Sequence, residues 1–399
     1  MTDRDMTNGM IFLGLDYSKG NHQIYIEGGY KGWRNSLGGP QNGDHKDGLL
    51  NYGPFQMNRT GGREAFYSYS NDNNTVKVGF QTMTLGDLLL LDERAIAATY
   101  SRKLYAFKVN LSTGTVMRDF ARMGSFCGVK YLYNTIKGKT DMPIGNSIGK
   151  TNFVGGVILW DPFYKKLEEN INNNDDEEGD DFKPMDEFSS DEFSSDEFAA
   201  ADDEFSEVEK EKTKYIKQTG LIFYEEFGSG FNYDKYYLGV MANSELPAGM
   251  NLNLELIYQY YEDNRAFLYY GDLSRNFLWA SGYSTMIGAG YFGVYDQDDS
   301  TAINTTFSNI YLGELMRLDA VDLPVFNTYV KQIIPGKLKL YVKVQWVEQI
   351  ENYKVREIDM ETGIKLFHHI RLTGLFGYVE ANTLNDPYYM ARFELRAAF

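Results

Sequence analysis

One cysteine, Cys127, in a chain of 399 residues excludes an internal disulfide and supplies no cysteine-based zinc or iron–sulfur set. No run approaches the roughly 18 to 20 apolar residues of a membrane helix, so a helical membrane protein is excluded. The segment "MTDRDMTNGM" has no apolar core, so no secretory signal is visible in the chain. The four histidines are His22, His45, His368 and His369. His368 and His369 fall in what reads as a short turn, with no serine or aspartate placed as a nucleophile arrangement requires, so the chain is expected to be no enzyme; no metal or cofactor is expected either. Basic excess is missing too, since the net charge is −17. That acidity is local: residues 161–212 hold 21 acidic and 5 basic residues, leaving 35 and 34 elsewhere. Nucleic acid is not an expected partner.

What is abundant is strand chemistry. Tyr (31) and Phe (26) are plentiful, Gly reaches 39, and Pro stops at 9, a balance of strand formers and turn formers. The last residues, "DPYYMARFELRAAF", alternate strictly: Tyr389, Ala391, Phe393, Leu395, Ala397 and Phe399 share one face, and Met390, Arg392, Glu394 and Arg396 the other. "KLKLYVKVQWV" (337–347) and "MNLNLELIYQYY" (250–261) repeat the pattern. Period-two alternation means one apolar and one wet face. Strands are predicted at 9–17, 22–33, 63–71, 75–82, 95–101, 104–111, 124–134, 151–160, 213–226, 234–243, 250–261, 266–272, 284–295, 323–333, 337–347, 354–366, 370–381 and 388–399.

The connections are short at "SKGN", "NDNN", "SRK" and "IPGK" and long at 34–61 and 296–322. Aromatics gather toward strand ends, among them Tyr25, Tyr30, Trp33, Trp160, Tyr236 and Trp346. Short turns on one rim, long loops on the other and aromatic girdles describe a transmembrane barrel. The expectation is an all-β, antiparallel barrel spanning 1–399 as a single unit, with about 18 strands and 14 to 18 admissible. A soluble β-sandwich would need continuous apolar inner faces and gains nothing from aromatic strand ends. Within the barrel, 161–212 is an acidic low-complexity insert whose "DEFSSDEFSSDEFAAADDEF" fits neither helical nor strand period. High charge with few apolar residues predicts a disordered loop.

"VKVGFQTMTLGDLLLLDERAIAATYSRKLYAFKV" (76–109) resembles the early strand–loop–strand unit of bacterial outer-membrane porins of the alginate-export type. Gly79, Gln81, Gly86, Asp87, Asp92 and Arg94 carry the match, while Phe80 stands where that family usually has Arg. "EIDMETGIKLFHHIRLTGLFGYVEA" (357–381) is similar to its penultimate hairpin. The terminal Phe399 resembles the end signal read by the barrel-assembly machinery. The resemblance implies a Gram-negative outer-membrane location beside lipid and lipopolysaccharide, and passage of small hydrophilic or ionic solutes, or of an anionic saccharide where the likeness extends to function. The alternative is a plugged barrel serving surface binding or polysaccharide export.

If lipid takes the apolar faces, the pore lining includes Lys77, Lys108, Lys130, Lys337, Lys339, Lys343, Arg371, Arg392 and Arg396 against Glu255, Glu357, Asp359, Glu361 and Glu394. Such a mixed wall either biases passing ions or pairs with itself across neighbouring strands. "TLGDLLLLDER" is too apolar for a surface loop and is expected to fold inward, bringing Asp87, Asp92 and Arg94 to a constriction. Counting strands from the N-terminus puts the insert at the cell surface, and counting back from the C-terminus puts it in the periplasm. The surface is the favoured expectation, with a miscounted strand expected between 265 and 296.

Overall fold

The computed structural model describes residues 5–35, 55–86, 90–117, 151–161, 217–228, 234–261, 264–279, 282–296, 324–335, 339–349, 354–366, 370–382 and 387–398. These form 17 strands in chain order. They are β1 Asp5–Lys19, β2 His22–Asn35, β3 Phe55–Ser70, β4 Asn74–Leu85, β5 Leu91–Leu104 and β6 Phe107–Val116. Next come β7 Thr151–Trp160, β8 Gln218–Gly228, β9 Lys235–Leu246, β10 Met250–Tyr261, β11 Asn264–Leu278 and β12 Ser284–Asp296. The chain then runs through β13 Val325–Ile334, β14 Lys339–Gln349, β15 Arg356–Leu366, β16 Ile370–Glu380 and β17 Tyr388–Ala398. The expected strand 124–134 lies outside the described residues. No helix among the described residues is long and apolar enough to cross a membrane.

Each strand pairs with its neighbours in sequence, and β1 pairs with β17, so the sheet closes on itself. Closure removes the unpaired edges that would otherwise invite aggregation. Sixteen seams are antiparallel; the closing seam, from Asp5↔Tyr389 to Gly14↔Ala398, is parallel. An odd number of alternating strands permits nothing else. The expectation of a wholly antiparallel barrel is corrected at this one seam.

Alternation sorts the side chains as the sequence pattern predicts. Ile11, Leu13, Leu15 and Tyr17 on β1 are exposed outward, and Met10 and Phe12 are buried inside. On β17, Phe393 is 59% exposed whereas Arg392 is 4% and Arg396 6%. Charges inside and hydrocarbons outside invert a soluble protein, and fit a bilayer around the wall. Strands of 10 to 16 residues meet or exceed the roughly 9 to 11 that a tilted strand needs to span hydrocarbon.

The two rims differ. On one, the connections 20–21, 71–73, 105–106, 247–249, 279–283, 335–338 and 367–369 run two to five residues. The link from Trp160 of β7 to Gln218 of β8 leaves and returns at that same rim. The opposite rim carries the longer links 36–54, 117–150 and 297–324. The favoured placement of the acidic insert with the long loops is therefore corrected: its ends share the rim of the tight turns. The expected miscount between 265 and 296 is also corrected, because β11 and β12 pair without a break from Ala266↔Asp296 to Leu278↔Ser284.

Candidate functional site: the barrel interior

Along the interior wall, ion-paired side chains concentrate in one arc and packed apolar side chains in another, and each arc also holds residues of the other kind. The charged arc runs through β13 to β17 and on through β1 to β3. Glu27 sits at its centre, 3% exposed. It accepts a 2.8 Å hydrogen bond from the Tyr25 hydroxyl and lies 3.3 Å from Arg63 Nη1 and 3.7 Å from Arg396 Nε. Arg396 also reaches Glu394 at 3.8 Å. Phe12 lies between the two guanidinium groups, 4.2 Å from Arg63 and 5.7 Å from Arg396, so ring and cations bridge the parallel seam. Tyr25, expected in the aromatic girdle, is instead buried inside, its ring tilted 32° to that of Phe66 with centroids 5.3 Å apart.

Farther round, Glu357, Asp359 and Glu361 of β15 are buried on the inner wall. Glu361 opposes Lys343 in the ladder and accepts a hydrogen bond from Tyr341. Lys343 lies 5.8 Å from the Tyr329 ring, and Tyr329 donates to Asp272 at 3.2 Å. Arg371, Arg392 and Arg396 face the same interior, with Arg371 opposite Arg396. Lys77 is half-buried, its ammonium 3.8 Å from the Phe66 ring, and Lys108 is exposed near the short-turn rim. Lys130 and Lys337 lie outside the described residues, as does the side chain of Lys339. Much of the arc is paired with itself, which lowers its net field and fixes its geometry.

The apolar arc spans β7 to β11, where Phe153, Ile222, Tyr224, Tyr237, Ile257 and Leu268 are buried in one cluster with Leu85, Leu90 and Leu91. Those leucines belong to the β4–β5 hairpin, whose distal half leaves the wall. The β3–β4 ladder stops at Ala65↔Phe80 and the β5–β6 ladder at Ala95↔Val116. The hairpin continues to Leu85↔Leu91. Its tip crosses the interior: a methyl group on Gly155 of β7 would meet Leu85 and Tyr224 at 3.0 Å, and one on Gly86 would lie 2.9 Å from Glu255 Oε1 of β10. Glu255 is thus buried under the hairpin tip rather than open to a bore.

Two residues make this departure possible. Gly79 adopts φ +137°, and a side chain there would collide with the Ala65 carbonyl and Phe66; only glycine tolerates that conformation at a close backbone approach. Glu64 fills the fork, where one carboxylate oxygen accepts from the Thr82 amide at 3.1 Å, the Thr82 hydroxyl at 2.5 Å and Arg94 Nη1 at 2.9 Å. Arg94, expected at the constriction, is 1% exposed and holds the root of the hairpin. That expectation is corrected. Asp87 lies outside the described residues, and Asp92 is placed in β5 opposite Thr84 with its side chain undescribed.

Sequence reasoning missed Glu64 and Arg63 as a site. Consecutive charges both pointing inward violate period-two alternation, and a register shift at Glu27/Gly28 opposite them allows it. The glycines 61 and 62 just before them were the available signal. The pair Glu226–Lys235, 3.6 Å apart at the long-loop end of β8 and β9, was missed because neither segment stood out from its neighbours.

No family model and no curated protein matches the chain. Among solved structures it is similar to Wzi of Escherichia coli, an outer membrane protein involved in group 1 capsule assembly and described as a carbohydrate-binding β-barrel. The TM-score is 0.48 at 9% identity, over 94% of this chain and 74% of that one. It is similar to a BenF-like porin from Pseudomonas fluorescens, with TM-score 0.45 and 11% identity over 94% and 86% of the two chains. OccAB1 of Acinetobacter baumannii gives 0.44 and 10%, over 96% and 87%. These are likenesses of fold.

Proposed function

We propose that the chain is a bacterial outer-membrane channel of the porin class that lets small hydrophilic or ionic solutes pass. The observation that carries this reading is the closed 17-stranded wall with hydrocarbon outside and charge inside, an arrangement that fits a bilayer around water. Tight turns face the periplasm in this reading, so the acidic insert is periplasmic too. Phe399 is the proposed contact for the barrel-assembly machinery, and outer-membrane lipid and lipopolysaccharide are the proposed surroundings. The alginate-export resemblance supports a saccharide, including an anionic one, as solute.

One observation favours a second reading, a plugged barrel in surface binding or polysaccharide export: the β4–β5 hairpin packs across the interior onto β7, β8 and β10. Planar-bilayer recording under a salt gradient separates the two. Discrete conductance steps with a modest reversal potential are expected, and silence from protein shown to be inserted overturns the porin reading in favour of the plug.

A further inference from the structure

The outer face of β11 to β14 carries a feature that the channel reading does not use. A groove of about 470 Å³ opens on the outside of the wall, lined by Leu273, Ile287, Ala289, Val330 and Trp346 with Arg275 toward one end. Apart from Thr328 the outward side chains lining the groove beside Arg275 are apolar, and an arginine facing lipid is costly at the bilayer midplane and cheap near its edge. Arg275 stands three residues from the end of β11, at the short-turn rim. Its guanidinium lies 4.6 Å from the Phe277 ring, and it forms no ion pair among the described residues.

The next rung toward the rim is polar. The Trp279 indole donates to the Thr285 hydroxyl at 2.8 Å, and that hydroxyl donates to Gln332 at 2.6 Å. In the other direction the groove runs over Ala289, whose small side chain leaves room between Leu273 and Trp346. A cation at the interface, a polar shelf below it and an apolar channel above it match one chemistry: an anion carrying a hydrocarbon tail.

We propose that this groove holds a glycerophospholipid with an anionic headgroup, its phosphate on Arg275 beside the Thr285–Gln332 shelf and one acyl chain along Ala289 toward Trp346. The assignment rests on the membrane reading, and on the short-turn rim lying in the phospholipid leaflet. Basic positions just inside a membrane interface attract acidic lipid in this way.

The test is native mass spectrometry of the full chain in mild detergent, titrated with dioleoyl-phosphatidylglycerol or dioleoyl-phosphatidylcholine. One phosphatidylglycerol should be retained, with phosphatidylcholine held roughly fivefold less, the factor one interfacial cation contributes. Arg275→Gln should erase that difference, and Ala289→Trp should lower retention of both lipids by filling the groove. Inorganic phosphate at the same concentration should not displace the lipid; displacement overturns the acyl-chain half of the proposal. Equal retention of both lipids by the unaltered protein, or an unchanged preference in Arg275→Gln, overturns the site. Circular dichroism keeps unfolding of either variant from being mistaken for loss of binding. Lipid retained by protein that gives no conductance supports the groove and overturns the porin reading alone.

Discussion

The two arcs of the interior are built from one alternating pattern and yet hold together by different physics. In the charged arc, Glu27, Arg63, Arg396 and Glu394 are fixed by ion pairs between β2 and β3, across β1 from β17 to β2, and within β17, so each group belongs to the wall. In the apolar arc, Leu85, Leu90 and Leu91 of the inward hairpin cluster with Phe153 of β7 and Tyr224 of β8, beyond the intervening β6. Those contacts join elements that the sheet's hydrogen bonds do not. In the proposed channel, the paired charges hold the wall's shape, whereas the hydrophobic contact between the hairpin and β7, β8 and β10 is free to separate as a unit. That reading assigns bore width to the apolar arc and ion preference to the charged one.

The largest expected effect comes from Arg94→Ala, which leaves Glu64 buried without its cation at the fork. Loss of one partner of a buried pair costs about 3–5 kcal/mol. The hairpin root should loosen and single-channel conductance should rise, and unchanged conductance and unchanged thermal unfolding would remove Glu64–Arg94 as the anchor. Next, Leu85→Ala should cost about 2–5 kcal/mol if the tip is as closely packed as its burial indicates. Conductance should rise here with little change in reversal potential, and a shift in selectivity instead would break the division between the arcs. Gly79→Ala strains a backbone position at a cost of about 1–3 kcal/mol, measurable as a lower midpoint in denaturant, because the strand can no longer bend inward at Ala65. Smaller still is Glu357→Gln, which removes one charge from the paired wall; it should move the reversal potential toward anions at low salt and fade at high salt, where screening is strong. Smallest is deletion of Glu168 to Glu209. The barrel should stay folded by circular dichroism, since so charged a segment buries little. Protease should reach the insert only after the outer membrane is breached, and cleavage in intact cells would reverse the assignment of the rims.

The wall was legible in the sequence because period-two patterning is local. β14 and β17 declare both faces within eleven residues, and the acidic insert declares itself by composition. The inward hairpin was legible as well, since four consecutive leucines between polar neighbours have no place on a surface. Its anchor was not. Arg94 finds Glu64 thirty positions away, and nothing in "DERAIAA" separates a residue pointing into a bore from one clamped at a fork. The bulge that turns Arg63 and Glu64 to the same side breaks the very periodicity used to find strands. The rim bearing the insert was misread because strand counting is a parity argument: β6 pairs directly with β7, and counting one more wall strand between them inverts everything beyond.

The parallel seam gives the barrel two unlike ends. β1 starts at the long-loop rim, whereas β17 finishes at the tight-turn rim, roughly 25 Å away through the height of the hydrocarbon band. A label fused ahead of β1 and another fused after β17 would emerge on opposite faces, so one molecule could be read from both sides at once. The same geometry forbids an ordinary circular permutation: a short linker cannot join the two ends without threading the bore. An even-stranded barrel, with both ends at one rim, accepts such a linker readily. Here, where the chain is cut is part of the architecture.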